Sequence, residues 1–109
     1  MRYLMTTLPT DDQAEFTEQM GREMGAFIQE LSASGALLAT GGLEPGGVLL
    51  SSKDGEITVT DGPFAEAKEA VVGFALIEVR SKEEAIELAT RFWRIVGNGK
   101  GLVQQVFGP

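Results

Sequence analysis

The chain contains no cysteine and no histidine. Without Cys there is no zinc finger, iron–sulfur cluster, thiol nucleophile or disulfide framework. Without His there is no Ser-His-Asp triad, imidazole base or His-held transition metal within the chain. Acid–base chemistry would have to come from carboxylates, Lys, Tyr or an ionised partner, and no metal or cofactor is expected. Basic residues are also few: 9 Lys and Arg against 16 Asp and Glu give a net charge of −7. Such a field repels phosphate backbones, and the basic residues are scattered, so no direct nucleic-acid partner is expected. The acidity serves solubility first. A basic start followed by a long apolar stretch is missing, as is any apolar run of about 18 residues. These absences predict a soluble, cytoplasmic protein with no membrane partner. At 109 residues the chain is expected to be a single domain with a core of its own.

What is present reads as alternating strands and helices. Arg2–Leu8 is a first strand closed by Pro9. Thr10-Asp11-Asp12-Gln13 has the form of a capping box and predicts the start of a helix. Phe16, Met20, Met24, Phe27 and Leu31 then form one apolar stripe, with Gly35 as the stop. Gly21 and Gly25 interrupt it, as tolerated glycines or as room above that face. Ala36–Leu43 is a second strand. Val48–Ser52 and Glu56–Thr60 make a hairpin around Lys53-Asp54-Gly55, because Asp-Gly supplies the positive φ of a tight turn. Val71–Val79 is apolar at odd and even positions alike, which predicts a central strand covered on both faces. Ser81-Lys82-Glu83-Glu84 is a second capping box. Ala85, Leu88, Ala89, Phe92 and Val96 follow as a helical stripe, and Leu102–Phe107 is a last strand.

This order predicts an α+β, ferredoxin-like layer with both helices on one sheet face. The helices can cover only that face. The doubly apolar Val71–Val79 therefore calls for a second copy, sheet against sheet, in a two-fold homodimer.

The segment Thr60–Glu69, TDGPFAEAKE, favours a rigid corner. Asp61 can accept bonds from backbone donors downstream, Gly62 permits unusual dihedrals, and Pro63 fixes φ. The same Asp61, at a strand end, is the candidate general base if partial burial raises its pKa. Glu66, Lys68 and Glu69 follow as candidate orienting or ligand-binding groups, and Tyr3 and Arg2 on the first strand are further candidates for the same space.

The stretch ITVTDGPFAEAKEAVVGFALIEVRSKEEAIELA resembles the YCII-related proteins, in their DGPF-domain branch. Asp61, Gly62, Pro63, Phe64, Glu66, Lys68, Glu69 and Gly73 match that motif, and the likeness covers nearly the whole chain. The resemblance implies a ferredoxin-like, dimeric α+β barrel. Some relatives in the wider group are enzymes acting on small aromatic or halogenated compounds, with a proposed His–Asp pair. Here Met24 stands near the position of that His, and Gly97-Asn98-Gly99 stands where the Asp lies, so that chemistry is not carried over. Two readings follow. One is a dimeric small-molecule-binding protein, or cofactor-free enzyme using carboxylates, with its cleft between sheet and partner subunit. The other is a non-enzymatic interaction module associated with a sigma factor, which the resemblance also implies.

Overall fold

The computed structural model describes residues 1–11, 15–44, 46–61 and 71–108. Eight elements follow one another: β1 (Arg2–Leu8), α1 (Glu18–Ala33), β2 (Leu37–Gly42), β3 (Val48–Lys53), β4 (Glu56–Asp61), β5 (Gly73–Glu78), α2 (Lys82–Val96) and β6 (Lys100–Val106). β1, β2, β5 and β6 form one sheet in the order β2-β5-β1-β6, every pair antiparallel. That order, with α1 and α2 as the two crossovers, is the ferredoxin-like α+β arrangement the element pattern predicts. β3 and β4 form a separate two-stranded hairpin inserted between β2 and β5.

The registers sort the sheet's side chains. Tyr3 faces Ile77, and Met5 faces both Ala75 and Val103, all on the helix side. Here the core gathers: Tyr3, Ile77 and Val79 from the sheet side, Phe27 and Leu31 from α1, Ala85 and Leu88 from α2. Ile77 is 1% exposed, and a residue so enclosed contributes roughly 1.5–3 kcal/mol by leaving water. Arg91 ties the helices together. Its two terminal nitrogens donate to the two Glu30 carboxylate oxygens at 2.8 and 2.9 Å, while the guanidinium lies 4.7 Å from the Phe27 ring centre.

The opposite face carries Leu4 with Leu76, Thr6 with Phe74 and Leu102, and Arg2 with Glu78 and Val106. Nothing among the described elements lies over it, and Leu102 and Val106 are exposed. β5 is thus central and apolar on both faces, as its composition predicts, but only one face is covered by helices.

Several boundaries differ from expectation. α1 begins at Glu18, not after Thr10, and its N-cap is Thr17, whose hydroxyl accepts from the Met20 amide at 3.1 Å. Gln13 of the expected box lies outside the described residues. A capping motif offers only a local gain, whereas the helix is held where its side chains reach the sheet, from Met24 onward. Phe16 accordingly falls outside the helix and is exposed. The second box is as expected: Ser81 caps α2, its hydroxyl accepting from the Glu84 amide at 3.1 Å. Gly35, at φ +81, ends α1 in the left-handed conformation that glycine adopts without strain.

Candidate functional site

A cavity of about 200 Å³ opens between the helix pair and the sheet. Its origin can be read from the strand pairing. Thr7 on β1 has glycine on both sides, Gly73 on β5 and Gly101 on β6. The sheet therefore presents a bare strip beside the Thr7 side chain. A Cβ on Gly73 would stand 2.9 Å from the Thr7 hydroxyl, and one on Gly101 would stand 3.1 Å from the Trp93 ring. Met24, Phe27 and Ile28 of α1 and Ala89, Phe92 and Trp93 of α2 form the roof. Met5, Ala75 and Val103 continue the floor. Phe92 and Trp93 meet edge to face, with ring centres 5.1 Å apart.

The lining is apolar with a few hydroxyls. Among the described residues no charged side chain borders the cavity. Thr7 and Thr40 lie on the wall, and the Thr40 hydroxyl already donates to the Phe74 carbonyl at 2.9 Å. Thr6 belongs to the floor strand with its side chain toward the opposite sheet face, and its buried Oγ1 has no hydrogen-bond partner. Such a space can hold an uncharged group of single-ring size. A cavity of about 150 Å³ lined by aliphatic and aromatic residues is known to accept benzene. It disfavours a carboxylate, which would lose its hydration with no cation to replace it.

The residues singled out from sequence do not converge on this space. Tyr3 is 4% exposed and belongs to the core beneath the helices. Arg2 lies on the far face of the sheet, its Nε 3.9 Å from the Glu78 carboxylate. Asp61 ends β4, exposed, opposite Val48 on the hairpin. Glu66, Lys68 and Glu69 lie outside the described residues. Gly25 has open space beside it, and Gly21 is covered by the Phe16 ring, so neither helix glycine shapes the cavity. The residues that do shape it have the sequence pattern of helix core or of strand. The available signal was Gly73 and Gly101 at the ends of two strands, which marks a strip without side chains.

Fold and cavity define the class: a small ferredoxin-like α+β protein with an apolar chamber between helices and sheet. The YCII-related domain matches residues 1–99, and the chain belongs to that family. It is similar to an uncharacterized protein of Rhizobium meliloti (strain 1021), 36% identical over 77 residues, which is 69% of this chain and 62% of that protein. The match thus spans less than two thirds of the relative's length. Among the described residues no helix is long and apolar enough to cross a membrane.

Proposed function

We propose that this chain is a small-molecule-binding protein of the DGPF branch, whose ligand is an uncharged, single-ring-sized compound held in the helix–sheet cavity. The observation that carries the reading is the cavity itself: about 200 Å³, walled by Phe27, Phe92, Trp93 and aliphatic side chains, with hydroxyls as its polar side chains. The Asp61-Gly62-Pro63-Phe64 motif supports the branch assignment. No carboxylate borders the cavity among the described residues, so the reading is binding rather than proton abstraction by Asp61. The site lies within one subunit rather than between sheet and partner. The protein acts as a homodimer, because the sheet face bearing Leu4, Phe74, Leu76 and Leu102 has no cover among the described residues.

Thermal-shift measurements with phenol and benzoate test the binding reading. A ligand that binds only the folded form raises the melting temperature. Phenol is expected to raise it and benzoate not to. Ala75→Leu, which fills the floor, is expected to abolish the phenol shift. A shift of equal size for both compounds, or one that survives Ala75→Leu, would contradict the assignment.

A further inference from the structure

The few polar side chains of the cavity wall differ in what they can offer a ligand. The Thr40 hydroxyl commits its proton to the Phe74 carbonyl at 2.9 Å. The indole N–H of Trp93 can donate but not accept. Thr6 turns its side chain to the opposite sheet face. Thr7 is different. It borders the cavity half-buried, and among the described residues its hydroxyl has no hydrogen-bond partner. A hydroxyl in that position can both donate to a ligand and accept from it.

The strands hold this hydroxyl in place and keep the space beside it open. β1 lies between β5 and β6, and Thr7 faces Gly73 on one side and Gly101 on the other. The Thr7 carbonyl accepts from the Val72 amide at 2.9 Å, which continues the pairing past the start of β5. A β-branched side chain has few rotamers, so on a backbone held this way the hydroxyl keeps its direction. Directly opposite residues share a face, with Cβ atoms about 5 Å apart. With glycine at both, the two positions nearest the Thr7 side chain carry none. The open position on the Gly73 side lies against the hydroxyl itself: a Cβ there would stand 2.9 Å from Oγ1. Met24, Phe27 and Phe92 across the cavity offer only carbon and sulfur to a ligand's ring. The ring's polar substituent has its versatile partner in Thr7. A ligand that displaces water from such a hydroxyl without replacing its bond loses affinity.

We propose that Thr7 is the specificity-determining residue of the cavity, its hydroxyl pairing with a single uncharged hydroxyl or amino substituent on the ligand's ring. This rests on the binding reading above and narrows its ligand class to rings bearing one such group. The test compares phenol with toluene, in which a methyl group of similar size replaces the hydroxyl. Each compound is titrated into full-length wild type, Thr7→Val and Thr7→Ser by isothermal titration calorimetry. Thr7→Val keeps the shape and the strand-favouring branch and removes only the hydroxyl, whereas Thr7→Ser keeps the hydroxyl. Far-UV circular dichroism checks that each variant is folded, and Thr7→Ala replaces Thr7→Val should the latter unfold. The loss of one neutral hydrogen bond is expected to weaken phenol binding by about three- to tenfold in Thr7→Val, while toluene binding holds or tightens. The preference for phenol over toluene should thus fall by that factor in Thr7→Val and stay near the wild-type value in Thr7→Ser. A preference that Thr7→Val leaves unchanged, whether both compounds weaken together or neither does, would overturn the role of Thr7 and leave the binding reading standing. A preference that Thr7→Ser lowers as far as Thr7→Val would do the same. A wild type that takes up neither compound would overturn both.

Discussion

Gly101 leaves no room for a larger residue: a Cβ there would collide with the Thr6 carbonyl oxygen and crowd the Trp93 ring. Gly101→Ala is therefore expected to lower stability by about 1–3 kcal/mol, the usual range for overpacking, as measured by urea unfolding. Thr6 has the opposite defect. Its hydroxyl is buried without a partner, which costs about 1–3 kcal/mol relative to an apolar group of the same shape. Thr6→Val should raise the melting temperature of the free protein; a fall would show that the hydroxyl is in use. The Glu30 carboxyl is held below its ordinary range, first by its hydrogen bonds from Arg91, which outweigh the opposing effect of burial, and then by the attraction of that cation. A carboxyl depressed on folding adds stability above its unfolded pKa, near about 4.3, and loses it as pH falls through the lower folded value. Acidification below the ordinary glutamate range should thus lower the melting temperature of wild type more steeply than that of Glu30→Gln. None of these three effects could be assigned from sequence, because each depends on which side chain meets which across the ladder or between helices.

Element by element, the sequence was most legible where a local rule and the tertiary contacts agreed. Ser81 has an acidic first turn behind it and an apolar stripe that reaches the sheet at once, so local cap and packing coincide. Ser81→Ala should cost about 1 kcal/mol in chemical unfolding. At Thr10 they disagreed, and packing moved the helix start to Thr17 and Glu18. The hairpin was legible for a similar reason: Asp54-Gly55 specifies the corner without outside help. What its alternation could not show is that the apolar face stays exposed among the described residues. Pattern identifies a face to be buried, not the surface that buries it.

For the whole molecule, the order of elements sufficed for the ferredoxin-like layer, since antiparallel pairing with two crossovers leaves few arrangements. The site was far less legible. In the sequence, Asp61, Glu66, Lys68 and Glu69 stand out because charged groups at a strand end signal chemistry. The cavity instead comes from missing side chains at Gly73 and Gly101 and from aromatic residues that also read as core. Asp61→Asn should consequently leave ligand affinity unchanged, as judged by the same thermal shift.

Trp93 provides the most direct measurement, because it borders the cavity and is the single tryptophan of the chain. Its fluorescence should respond saturably as an uncharged single-ring compound such as phenol is titrated in. The response should be absent with benzoate and lost in Ala75→Leu. A wild-type signal that stays flat into the millimolar range, or a response that the filled variant reproduces, would contradict the assignment of the cavity as a binding site.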